Sequence, residues 1–104
     1  MEKILKQLRT IGLIPVVCID NAENAVPLAK SLKLGGLPAA EITFRTPAAE
    51  ESIARIAKAE PDLLLGAGTV LTPEQADRAI RAGVRFLVSP GLNPSLVKYC
   101  LDQG

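Results

Sequence analysis

The sequence predicts an α/β chain in which strands and helices alternate to build a parallel sheet. Two observations carry this. Short apolar runs recur at Ile14–Ile19, Ala40–Arg45, Leu63–Gly68 and Arg85–Ser89, with helically spaced apolar residues between them. Three of the intervening helices open with a polar residue followed by proline: Thr46-Pro47, Thr72-Pro73 and Asn93-Pro94. Parallel strands joined by helices take right-handed crossovers. Four strands suit either a small doubly wound sheet or half of an eight-stranded barrel.

Taken in order, Ile4, Leu5, Leu8 and Ile11 share one face of a first helix, which Gly12 stops. Ile14–Ile19 is β-branched and nearly uncharged, so it reads as a strand buried on both faces, with Cys18 as a small buried hydrophobe. Asp20 and Asn21 can cap the next helix, whose stripe is Ala25, Leu28, Ala29 and Leu32. Pro27 within it is expected to remove one backbone hydrogen bond and kink the first turns. After the second strand, Thr46 caps a helix buried through Ile53, Ile56 and Ala57. The third strand ends in Gly66-Ala67-Gly68-Thr69, and Thr72-Pro73-Glu74-Gln75 forms a capping box. The fourth strand leads through Ser89-Pro90-Gly91 to a helix carrying Leu96, Val97, Cys100 and Leu101.

Composition narrows the function. A chain of 104 residues is expected to form one domain, 1–104, with a core that needs no disulfide or metal. With no histidine, His-based catalysis and His-containing metal sites are excluded. A net charge of +1 argues against a nucleic-acid binder, and 3% aromatics leave no base-stacking platform. No apolar run approaches the roughly 18 residues of a membrane span. The amphipathic start, Met1-Glu2-Lys3-Ile4, lacks the apolar core of a secretory signal, so both cysteines are expected to be reduced in a cytoplasmic protein.

The second strand favours the barrel. Residues two apart share a face, so Ile42 and Phe44 point one way while Glu41, Thr43 and Arg45 point the other. Three polar residues are hard to hydrate under a layer of helices. In a barrel that face is the interior, whose C-terminal end carries the active site. Glu41 to Arg45 spans about 13 Å of strand, too far for a simple ion pair. A mid-strand carboxylate among apolar neighbours has its proton affinity raised by desolvation, which suits acid–base work near neutral pH. The competing reading is a structural carboxylate satisfied by a lysine on a neighbouring strand. Arg45 can grip a carboxylate or phosphate, or be a solvated rim charge. Gly66 and Gly68 permit a close approach to the backbone, or simply serve a tight turn.

The blocks Glu41-Ile42-Thr43-Phe44-Arg45-Thr46, Gly66-Ala67-Gly68-Thr69-Val70-Leu71 and Val88-Ser89-Pro90-Gly91-Leu92 resemble the first half of the KDPG/KHG aldolases, the 2-keto-3-deoxy-6-phosphogluconate and 4-hydroxy-2-oxoglutarate aldolases. Ala25-Val26-Pro27-Leu28-Ala29-Lys30 with Gly35-Gly36 fits the same pattern. The resemblance implies a (β/α)8 TIM barrel, of which this chain holds the N-terminal helix and first four βα units, a half-barrel. It implies a class I aldolase that releases pyruvate and an aldehyde through a Schiff base, without a metal or other cofactor. Glu41 matches the family's proton-shuttling glutamate. Arg45 and Thr69 match residues that hold the pyruvate carboxylate, and Pro90 matches a residue of the pocket wall. The family's Schiff-base lysine lies in a Lys-Phe-Phe-Pro-like block on the sixth strand, and no such block occurs here. Lys30, Lys58 and Lys98 fall on predicted helices. Little activity is therefore expected from the chain alone. The partners implied are a 2-keto acid such as pyruvate and further copies of the chain, since the family assembles as trimers; two half-barrels could also close edge to edge. A non-catalytic half-barrel serving as an assembly module is the alternative.

Overall fold

The structure, a computed structural model covering residues 1–104, is a four-stranded parallel sheet whose connecting helices lie on one side. The elements are α1 (Glu2–Ile11), β1 (Val16–Val17), α2 (Ala25–Leu34), β2 (Ala39–Thr43), α3 (Ala49–Ala59), β3 (Leu64–Gly68), α4 (Pro73–Ala82), β4 (Phe86–Leu87) and α5 (Pro94–Asp102). A short 3-10 turn, Ala22–Asn24, precedes α2.

Strand order is β1-β2-β3-β4, the order of the chain. Successive crossovers of one hand place every connecting helix on the same face, with no switch point. Accordingly α2 packs on α3, α3 on α4 and α4 on α5. This is barrel winding, and it settles the choice between the two architectures. The core lies between sheet and helices, where Ala40, Ile42, Leu65 and Ala67 meet Ala29, Ile53, Ile56, Ala76 and Ala79. The opposite face carries Val16, Glu41, Gly66 and Phe86 on one rung, because paired residues of parallel strands point the same way.

Several local expectations are corrected. β1 is two residues long and Val16 is 64% exposed, so the first strand is not buried on both faces. It is an edge strand, bonded to β2 alone. Cys18, just beyond it, is exposed rather than buried. β4, the other edge, is equally short. Pro27 is the third residue of α2, inside the first turn, where its missing N–H has no partner to lose. Thr46 caps no helix: α3 begins at Ala49 after Ala48, which makes no side-chain cap. Instead the Thr46 hydroxyl donates to the Ile19 carbonyl and ties the chain beyond β2 to the chain beyond β1. Thr72 and Asn93 do cap α4 and α5, accepting from Gln75 N and from Ser95 N and Leu96 N. No helix is long and apolar enough to cross a membrane.

Candidate active site

In a parallel sheet all C-terminal strand ends lie together, so the segments after β2, β3 and β4 share one rim of the inner face. Arg45, Thr69 and Pro90 occupy those three segments, and Glu41 lies one layer below, within β2.

Glu41 is held by the ladder. Its N–H donates to the Pro15 carbonyl at 2.9 Å, and it lies level with Val16 and Gly66. Only 8% of the residue is exposed. Burial pushes its carboxyl above the usual carboxylate range, and the charge of Arg45 partly pulls it back. No lysine and no hydrogen-bond donor reaches the carboxylate, so it is not a structural group satisfied by a neighbouring strand. Thr43, two residues on, is buried and donates its hydroxyl to the Val17 carbonyl at 3.2 Å, which fastens β2 to β1 beside the site.

Arg45 is exposed and sits in the turn after β2, not on the strand as the sequence suggests. Its Nε donates to Thr69 Oγ1 at 3.2 Å. That bond uses one edge of the guanidinium and leaves the two terminal nitrogens as a fork suited to a carboxylate. Thr69 has φ 56, the left-handed region, where it is the one non-glycine residue of the chain. A β-branched residue there is strained, and such strain gathers at functional sites. The turn is braced by Val70 N donating to the Val88 carbonyl at 3.2 Å. Pro90 is exposed in the loop after β4 and makes no hydrogen bond to Arg45 or Thr69. The structure thus brings Glu41, Arg45 and Thr69 together and shows no hydrogen bond from Pro90 to any of them.

Sequence reasoning did not single out Phe86. Its ring lies on the inner face against Gly66, and the signal was its alternation with core-facing Leu87. A cavity of about 760 Å³ lies elsewhere, between α1, β4 and α5, and is lined largely by apolar residues such as Leu8, Phe86, Val88, Leu96 and Leu101. It follows the unpaired side of β4 and does not include Glu41, Arg45 or Thr69.

A parallel half-barrel with polar groups at the C-terminal ends of its strands falls in the class of β/α-barrel proteins that keep their chemistry at that end. The family described as KDPG and KHG aldolase matches residues 4–104, and the chain belongs to it. A 2-dehydro-3-deoxy-phosphogluconate aldolase of Treponema pallidum is 51% identical over 100% of this chain and 50% of its own length. A crystal structure of the 2-keto-3-deoxy-6-phosphogluconate aldolase of Zymomonas mobilis with 3-phosphoglycerate superposes with a TM-score of 0.90 at 42% identity, covering 99% of this chain and 49% of that one. The KDPG aldolase of Legionella pneumophila, solved with pyruvate captured as a covalent carbinolamine, is 43% identical with a TM-score of 0.80, over 83% of this chain and 42% of that one. The chain spans about half the length of the relatives it matches.

Proposed function

We propose that these residues supply the acid–base group and the carboxylate clamp of a class I aldolase acting on a 2-keto acid, with 2-keto-3-deoxy-6-phosphogluconate or 4-hydroxy-2-oxoglutarate as substrate and pyruvate as product. The observation that supports this most directly is the unpartnered carboxylate of the largely buried Glu41, below the Arg45–Thr69 pair. Arg45 receives the substrate carboxylate on its terminal nitrogens. Thr69 holds the guanidinium at the rim by its Nε. Glu41, with raised proton affinity, takes and returns protons beside the keto carbon, and Pro90 closes the outer wall. Family resemblance and the carbinolamine seen in the Legionella relative support a Schiff-base route.

A Schiff base needs a lysine in the site. Lys3, Lys6, Lys30, Lys33, Lys58 and Lys98 all lie on helices, none on a strand or in the turns after β2, β3 and β4. Residues 1–104 alone are therefore expected to bind pyruvate weakly and to turn over little. Pyruvate titrated against the isotopically labelled chain should shift the amides of Arg45 and Thr69 and lose that effect in Arg45→Ala. Shifts spread evenly over the chain, or none at the rim, overturn the clamp. A borohydride-trapped adduct, or retro-aldol turnover matching an intact aldolase, overturns the expected lack of a nucleophile. Assembly into an oligomer belongs to the same proposal, since Val16 at one edge is 64% exposed and the apolar cleft follows the other. Sedimentation as a stable monomer counts against it.

A further inference from the structure

Gly66 and Gly68 are the two inner-facing residues at the end of β3, separated by core-facing Ala67. Neither has a positive φ, so neither backbone position demands glycine. Occupied space demands it instead. A Cβ on Gly66 would overlap the Phe86 ring. A Cβ on Gly68 would overlap Glu41 Oε2 and stand 2.5 Å from Cδ and 2.9 Å from Cγ. The Phe86 ring and the Glu41 carboxylate therefore fill adjacent recesses along one strand, each made by a missing side chain.

The register gives these recesses a direction. Glu41 is paired with Gly66, yet its carboxylate rests on Gly68, one inner-facing position nearer the C-terminal rim. The place over Gly66 is taken by Phe86, whose own backbone is level with Gly66. The side chain of Glu41 leans forward, toward the turn that holds Arg45 and Thr69. Val16 faces it from β1, Gly66 and Gly68 face it from β3, and the Arg45 guanidinium is the one charge acting on it.

We propose that Gly68 is the positioning residue for Glu41: its bare Cα seats the carboxylate against β3, one rung forward, while Phe86 bars the rung behind. This rests on the assignment of Glu41 as the acid–base group, but its test does not depend on turnover. In Gly68→Ala the carboxylate must leave its seat for the open inner face. NMR titration of Glu41 should then show its proton affinity falling toward that of an ordinary glutamate. Measured at about pH 4 or below, where release of the buried charge no longer contributes, the same substitution should lower the Tm in the native background and in Glu41→Gln, which keeps the side chain's shape, but not in Glu41→Ala, which empties the seat. If Gly68→Ala alone does not fold, Glu41→Ala/Gly68→Ala should regain the Tm of Glu41→Ala. An unchanged titration, or the same loss of Tm in all three backgrounds, overturns the proposal. A failed pyruvate titration would remove the proposed function and leave these readouts as they are.

Discussion

Arg45 and Thr69, 24 residues apart on the turns after neighbouring strands, are joined by a 3.2 Å bond from Nε to Oγ1. The acceptor residue is the one held at positive φ. The guanidinium is thus aimed by a strained residue of the adjacent βα unit, and the rim is shaped by contacts between units.

That strain makes Thr69→Gly informative. Relief of a left-handed β-branched residue is worth about 1–3 kcal/mol, set against roughly 0.5–1 kcal/mol of added chain entropy for glycine. We expect denaturant unfolding to show no loss of stability and a gain of up to about 2 kcal/mol. The amide shifts induced by pyruvate at Arg45 should weaken, because the guanidinium loses its anchor. A clear loss of stability would show the turn to be unstrained.

Glu41 makes folding depend on pH in a defined direction. Its carboxyl titrates above the ordinary 4.5 in the folded chain, because burial disfavours the charge. Between that value and the raised one the native state binds more protons than the unfolded state, so this group's contribution to stability falls as pH rises. Glu41→Gln should therefore raise Tm by a few degrees near pH 7, and the gain should vanish below about pH 4. A gain that persists undiminished at low pH would mean that the charge is not its source.

Ser52 is fully buried in α3, and its hydroxyl has no hydrogen-bond partner. An unmade hydrogen bond in the core costs about 1–3 kcal/mol, and alanine is the better helix former. Ser52→Ala is expected to stabilise the chain by about 1 kcal/mol in chemical denaturation. Destabilisation would reveal a partner for the hydroxyl.

The two thiols should separate in reactivity. Cys18 is exposed past the end of β1, whereas Cys100 is half-buried on α5 and its thiol is pushed up by burial. A thiol-reactive dye at neutral pH should label Cys18 at least several-fold faster, as read by peptide mapping. Equal rates would place Cys18 back in the core.

Much of this was legible in the residues. The alternation of Ile42 with Glu41 and Thr43 gave the two faces of β2, and runs of apolar residues located all four strands in order. Strand ends were less legible, because apolar character does not stop where hydrogen bonding stops: Ile14–Ile19 contains only two ladder residues. Thr46-Pro47 has the local chemistry of a helix start, but the Ile19 carbonyl draws the Thr46 hydroxyl away, and sequence shows no such distant competitor. Gly66 and Gly68 looked the same as turn glycines. What decides their role is the side chain lying against each, Phe86 for one and Glu41 for the other, and both come from neighbouring strands.

Because each strand bonds only to strands adjacent in chain order, the sheet can be laid down one βα unit at a time. Every new unit finds its template already built, and each strand has only one βα crossover to close before it pairs. Such a chain is suited to folding in step with its synthesis, with Glu41 receiving its seat only when the third strand arrives.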